Sequence, residues 1–294
     1  MVEAGYGGAV KILRNGKNLG FPGGVNAGIS SSGGEFIALL NSDAYAEKDW
    51  LEKMIAAIRL SEKTGMCACK IYLHDRPRIL DNTGEVLYRD GLNRPRGRLE
   101  EDTGQYDSDK KVLCPSGCAA LYRRTLLDEV DKFDERFFLY GEDLDIGLRG
   151  RMLGYECMYV PGAVAFHRLS ASAGTLSSLK AFYVERNRLW VLIKCFPLPN
   201  LLASPGYTVV RYLYILYGLL SRKGPASQYA KQTPGIYLAW ILIRAYFSTL
   251  WHLPYLLNER SRWKKKNKIS LQEFNRWLRI YGISAKDAAL KDVI

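Results

Sequence analysis

The chain's 294 residues can bury a full α/β core with room for a second module, and its 48% hydrophobic content is that of an ordinary globular protein. A net charge of +12 at pH 7 points to an anionic partner: nucleic acid, a phosphorylated substrate or an acidic membrane surface. The six cysteines, Cys67, Cys69, Cys114, Cys118, Cys157 and Cys195, lack the paired spacing of a zinc ribbon, and residues 1–12 lack the basic start and apolar run of a signal peptide. Reduced, partly buried thiols in a cytoplasmic protein are therefore expected.

Residues 10–13 read as a short strand and 14–18 as a polar turn. Residues 21–32 read as a helix whose glycines let backbone come close to a ligand or to the sheet. The apolar run 36–40 predicts a strand buried on both faces, with Asn41-Ser42-Asp43 at its carboxyl end, where open α/β sheets bind ligands. An amphipathic helix is expected over 48–62 and a strand over 66–73. Residues 79–91 suggest a hairpin about Asn82-Thr83-Gly84, and the charged stretch 92–111 a mobile loop or a solvated linker. Two strand pieces, 112–114 and 117–123, frame Pro115-Ser116-Gly117.

The stretch 133–167 organises the chain. An aromatic approach delivers Glu142-Asp143 to the start of a helix that runs to about Leu153 and stops at Gly154 as a left-handed cap. Carboxylates in a first helical turn complement the helix dipole, which is one reading of Glu142, Asp143 and Asp145. Two short strands, 157–160 and 163–166, are expected to follow across a Pro161-Gly162 turn, the second ending on His167.

Three motifs occur in order: NLGFPGGVNAGI at 18–29, EFIALLNSDA at 35–44, and FDERFFLYGEDLDIGLRGRMLGY from 133 with its closing His167. Together they resemble the family 2 glycosyltransferases, in the rhamnosyltransferase-like branch that builds surface polysaccharides. The likeness covers roughly residues 10–188.

The resemblance implies a GT-A α/β fold (the Rossmann-like nucleotide-diphospho-sugar transferase fold) over 1–172, followed by a helical, membrane-associating region over 173–294. It implies an inverting transfer of a sugar from a nucleotide-diphosphate donor. Asp143 is the implied base, with Glu142 beside it to orient the acceptor or backbone. Asp43 is the implied ligand of a divalent cation, Mg2+ or Mn2+, and His167 a second; Asn41 stands where the family often has Asp. Asn26 and Arg186 are implied donor-binding residues, the latter beside Asn187 in the segment Tyr183-Val184-Glu185-Arg186-Asn187-Arg188. Family members begin with two strands that grip base and ribose, and here the 18–29 motif is reached almost at once. The domain is therefore expected to lack them, to bind donor weakly, and to be poorly ordered or abnormally paired over 1–14.

The apolar segments 198–220 and 236–257 are each long enough to span a bilayer, yet each carries an arginine near its middle, Arg211 and Arg244. Such a charge costs about 2.5–3.5 kcal/mol on insertion scales. Their aromatics, and the basic run 260–268, suit helices lying on an anionic cytoplasmic leaflet better than one or two spanning helices. A final amphipathic helix is expected over 272–283. The expected partners are a nucleotide sugar, a lipid-linked or glycan acceptor and an anionic membrane. Competing readings are a catalytically impaired scaffold of a polysaccharide assembly complex and, on charge alone, a nucleic-acid-binding protein; against the latter, the basic residues sit beside apolar helices and not on an aromatic-studded β surface.

Overall fold

The computed structural model describes residues 10–168, 178–232 and 235–291. Residues 1–9 and the expected domain boundary at 172–173 lie outside the described residues. In chain order the elements begin α1 (Gly20–Ser30), β1 (Phe36–Leu40), β2 (Ala44–Ala46), α2 (Trp50–Arg59), β3 (Thr64–Leu73), β4 (Arg76–Asn82), β5 (Glu85–Leu87), β6 (Asn93–Pro95) and β7 (Lys111–Val112). Then come β8 (Ala119–Arg123), α3 (Arg124–Glu129), a 3-10 turn (Glu135–Phe137), α4 (Glu142–Met152) and β9 (Glu156–His167). The rest is helical: α5 (Ser178–Cys195), α6 (Leu198–Ser221), α7 (Gly224–Gln232), α8 (Gly235–Trp251), α9 (Leu253–Lys266), α10 (Leu271–Ile280) and α11 (Ala285–Leu290).

The main sheet has the order β1-β8-β3-β9-β2, with β4 on β3 and β7 on β9. It is mixed: β3 and β9 run parallel, while β1–β8, β8–β3 and β9–β2 are antiparallel. β3 is its apolar centre. The two-residue period of a strand sends Met66 and Ala68 into one core and Cys67, Cys69 and Ile71 into another. The second core is closed by α2, whose Trp50, Met54 and Ile58 recur every four residues on one stripe. The first is closed by Leu144 of α4, Trp190 of α5, Trp263 of α9, and Phe274 and Trp277 of α10. Helices beyond residue 172 therefore share a core with the sheet. Asp145 and Lys194 add a buried ion pair between α4 and α5 at 2.8 Å, with Arg149 2.7 Å from Asp145 and Asp134 2.6 Å from Lys194. Asp145 is thus a paired core residue and not merely a complement to the helix dipole.

Several local expectations are corrected. Residues 10–13 form no strand, and Val10, Ile12 and Leu13 are exposed, having no paired neighbour among the described residues. β1 is not buried on both faces: Leu40 is 44% exposed, because β1 pairs with β8 on one side and its other edge carries no strand among the described residues. β4 and β5 do not pair across Asn82-Thr83-Gly84; β4 returns along β3, and β5 pairs with β6. The stretch 92–111 is ordered by backbone bonds, Leu99 N to Leu80 O at 2.9 Å and Arg96 N to Gly84 O at 2.8 Å among them. Its acidic residues face basic ones: Asp102 and Asp107 lie within 2.8 Å of Lys70, and Asp109 2.7 Å from Arg96. Pro161-Gly162 makes no turn, since pairing with β3 carries one strand through to His167 with a bulge between Val160 and Val164. The α4 helix ends as expected, with Gly154 at φ +95° beyond its cap. All six cysteines are free and buried.

Helix α6 is turned inside out. It buries Ser204, Thr208, Arg211 and Gly218 and exposes Leu202, Val209, Leu213, Leu216 and Leu220. Arg211 is compensated: its Nε donates to Asp90 at 2.6 Å and its Nη2 to Glu185 at 3.3 Å, with Arg188 paired to both carboxylates. Burial opposes ionisation of Glu185, but Arg188 and Arg211 overcome it and hold the carboxyl down to about 2. α8 has an outer apolar face of its own in Trp240, Ile243, Phe247, Leu250 and Trp251. Among the described residues no helix is long and apolar enough to cross a membrane.

Candidate active site

A cavity of about 590 Å³ opens beyond the carboxyl ends of β1 and β9. β1 hands Asn41 and Asp43 to it, and the antiparallel pairing of β2 with β9 sets Ala44 opposite His167. This register brings His167 Nε2 to 3.4 Å from Asp43 Oδ1. Its Nδ1 lies 2.7 Å from Oδ2 of Asp81, a 4% exposed residue at the end of β4. Burial lowers the His167 pKa, Asp43 opposes, and Arg98 adds to the lowering. A neutral ring donating its Nδ1–H to Asp81 leaves the Nε2 lone pair facing Asp43. Asp81 is held in turn by Arg98. This carboxylate–imidazole–carboxylate row is one of the two groups of the site that carry carboxylates.

The other is acidic. Glu142 and Asp143 begin α4 behind Gly141, whose φ of +81° turns the chain into the helix. Burial, with Asp143 close by, pushes both Glu142 and Glu85 up to about 8. Burial also raises Asp143, while the backbone N–H groups of Leu144 and Gly117 pull the other way. Leu144 N donates to Asp143 Oδ1 at 2.8 Å. Glu85 is clamped on both oxygens by the side-chain amides of Asn82 and Asn93, at 2.7 and 2.9 Å. Glu142 Oε2 is buried and has no hydrogen-bond partner among the described residues.

Arg94, Arg98 and Lys180 bring positive charge to the same cavity. Burial, then Arg98 and Arg94, push Lys180 down to about 8. Cys118 also lines the cavity, but burial drives its thiol far above the ordinary range, so it offers no thiolate nucleophile.

The structure thus gathers Asn41, Asp43, Glu142, Asp143 and His167 around one space, and leaves Asn26 and Arg186 out of it. Asn26 is 8% exposed and staples α1 to the 133–135 segment, its Nδ2 donating to Phe133 O at 2.9 Å and Glu135 Oε1 at 3.0 Å. Arg186 is spent on the carbonyls of Arg136 and Phe137, at 3.0 and 2.8 Å, and stacks 4.3 Å over the Trp190 ring. Asp81, Glu85, Arg98 and Lys180 are cavity residues that sequence reasoning passed over. The Asn82-Thr83-Gly84 turn signal was a clue to the first two, because it marks where β4 ends and β5 starts.

The family described as "Glycosyltransferase like family 2" matches residues 1–192. A curated relative, the N-acetylglucosaminyl-diphospho-decaprenol L-rhamnosyltransferase of Mycobacterium tuberculosis, is 26% identical over 195 residues, covering 56% of this chain and 61% of its own. The O-antigen biosynthesis protein RfbC of Myxococcus xanthus is 23% identical over 159 residues, covering 52% of this chain and 12% of its own. The chain therefore spans less than two thirds of either relative. Among solved structures, GalNAc-T7 with UDP, GalNAc and Mn2+ superposes with a TM-score of 0.53 at 15% identity, over 70% of this chain and 39% of that one. That is a likeness of fold, the GT-A fold with its mixed α/β sheet. With its profile spanning most of the sheet, the cavity and α5, the chain belongs to glycosyltransferase-like family 2.

Proposed function

We propose that the protein is an inverting glycosyltransferase that moves a sugar, rhamnose being the leading candidate, from a nucleotide-diphosphate donor to a lipid-linked or polysaccharide acceptor. The observation that carries the reading is the cavity in which Asp43 and His167 share one space with Asp143 at the start of α4. Support comes from the likeness to the mycobacterial rhamnosyltransferase, and GalNAc-T7 was solved with UDP, GalNAc and Mn2+.

In this mechanism Asp143 accepts the proton of an acceptor hydroxyl as that oxygen bonds to the anomeric carbon. The bond from that carbon to the phosphate oxygen breaks, and its electron pair leaves with the nucleoside diphosphate. One carboxylate suffices for such a direct displacement. Its raised pKa suits a base, and Glu142 accepts a hydrogen bond from the acceptor. Arg98 and Lys180, which line the cavity as Arg186 does not, face the diphosphate.

Asp43 Oδ1 and the His167 Nε2 lone pair fit a divalent cation as an oxygen–nitrogen pair. Among the described residues no group of three or more acidic, histidine or cysteine side chains gathers to hold one. Two protein ligands, completed by phosphate oxygens and water, suit Mg2+ or Mn2+. When bound, the ion neutralises the leaving diphosphate.

We further propose that the enzyme lies on the cytoplasmic face of the plasma membrane, held by the outer apolar face of α6 and α8 and by the basic residues 260–268. Trp240 and Trp251 on that face suit the headgroup boundary, and the basic run suits anionic lipid.

The deciding experiment is a screen of nucleotide sugars, dTDP-rhamnose included, for hydrolysis and thermal stabilisation with Mn2+ or Mg2+ present. A single donor standing out supports the reading. A full panel that neither stabilises the protein nor is consumed overturns it.

A further inference from the structure

The dipeptide Arg186-Asn187 lies on a helix of the region after the sheet, yet its side chains are committed to backbone on the approach to α4. Asn187 is fully buried. Its Nδ2 lies 3.1 Å from Phe137 O, 2.9 Å from Leu139 O and 2.6 Å from Tyr140 O. Its Oδ1 accepts from Arg186 Nε at 2.8 Å. The orientation of the amide follows from its neighbours, since three carbonyl oxygens demand the donor end.

The segment it grips is strained. Phe138 and Tyr140 sit at φ +63° and +66°, a left-handed conformation unfavourable for side chains with a Cβ, and Gly141 follows at +81°. Such residues persist only where their surroundings over-determine them. Here the surroundings are α1, whose Phe21 N donates to Phe138 O at 2.9 Å, and α5, where a Cβ at Gly141 would lie 3.3 Å from that of Asn187. Phe138 stacks on Tyr183, with ring centroids 5.5 Å apart. The next two residues are Glu142 and Asp143.

We propose that Asn187 is a positioning residue, holding the left-handed elbow 138–141 from helix α5 so that the Asp143 carboxyl stands where the reaction needs it. The inference rests on the proposed role of Asp143 as base. Without the amide the elbow relaxes toward negative φ, and the first turn of α4 moves with it. Ground-state binding of the donor, which uses the row around Asp43 and His167, is left largely in place. The geometry therefore predicts a loss in kcat with little change in KM for the donor.

The test uses the full chain with Asn187→Asp, which keeps the shape but replaces donors by a carboxylate facing three carbonyls, and Asn187→Ser, which keeps one donor at shorter reach. Hydrogen exchange read by mass spectrometry over 136–144 should quicken at least tenfold in Asn187→Asp and by less in Asn187→Ser, with β3 unchanged. With the nucleotide sugar that the wild type consumes, kcat should fall ten- to a hundredfold while donor KM stays within about threefold. Unchanged exchange in 136–144 overturns the proposal, and so does loss of protection throughout the chain together with activity. If neither variant folds, exchange in the native protein decides: protection of 138–143 equal to that of β3 supports the clamp, and exchange at the rate of an open loop overturns it. A wild type that consumes no nucleotide sugar removes the role of Asp143 but leaves the exchange result readable.

Discussion

His167 and Asp81 meet at 2.7 Å through the imidazole Nδ1, although 86 positions separate them in the chain. That contact chooses the tautomer and aims Nε2 at Asp43. A second-layer carboxylate of this kind commonly contributes ten- to a hundredfold in metal affinity. Asp81→Asn should therefore raise the Mn2+ concentration giving half-maximal donor turnover by about tenfold, at little change in the rate with saturating ion. An unchanged Mn2+ curve separates Asp81 from the ion.

Asp143→Asn should leave the melting temperature near that of the wild type and lower sugar transfer by about two to four orders of magnitude, because an amide cannot take the hydroxyl proton. Steady-state turnover with circular dichroism as the folding control checks it. Near-normal turnover assigns the proton to another group.

The raised carboxyls make a signed prediction about pH. Glu142 and Glu85 are pushed up to about 8 in the folded state, above the ordinary value of 4.5. Between those values the native state holds protons that the unfolded chain has released, so stability falls as pH rises. His167, lowered by burial, works in the opposite direction as the pH drops toward its ordinary 6.5. The difference between wild type and Glu142→Gln isolates the carboxyl. The variant should gain melting temperature relative to wild type steadily from pH 5 to pH 8, and a constant difference across that range removes Glu142 from the titration.

Arg211 tests the reading of α6. Breaking a buried ion cluster from one side costs about 3–5 kcal/mol, since the partners are left uncompensated. Arg211→Met should lose stability of that order in urea unfolding, while Arg244→Ala, at an exposed position on α8, should stay within about 0.5 kcal/mol. Equal small effects would mean that Asp90 and Glu185 are satisfied without Arg211.

The outer face predicts lipid binding. Replacing Trp240, Phe247 and Trp251 together by Ser should reduce co-sedimentation with anionic vesicles more than tenfold. High salt should release part of the wild type, because exposed charges are screened over about 10 Å at 0.1 M. A triple variant that still binds as the wild type does points the membrane reading elsewhere.

How much of this was legible in the chain depends on whether the signal was local. The α4 start at Glu142-Asp143, its Gly154 stop, the buried β3 and the amphipathic α2 all follow from spacing within one element. Asn41 and Asp43 at the end of β1 followed from strand polarity, and the ordered motifs tied those pieces to a family. What escaped was set by distant pairing. Asp81 and Glu85 looked like hairpin polar residues, and Arg98 like part of a solvated loop, because their partners lie on other strands. Pro161-Gly162 carries strong turn chemistry, yet pairing along β3 overrides it. Motif position points to Arg186 and Asn26, yet backbone carbonyls nearer to hand claim both side chains.

The shared core also decides what can be cut away. The family's profile ends at residue 192, but the apolar cluster behind β3 and α4 is closed by Trp263, Phe274 and Trp277 from beyond that point. Each such ring contributes about 1.5–3 kcal/mol when fully covered. A fragment ending at 192 would also strip Trp190 of the His252 and Tyr255 rings, whose centroids lie 4.9 and 6.3 Å from its own. The packed unit is therefore longer than the stretch that the family's profile covers, and the C-terminal helices belong to the domain's own foundations.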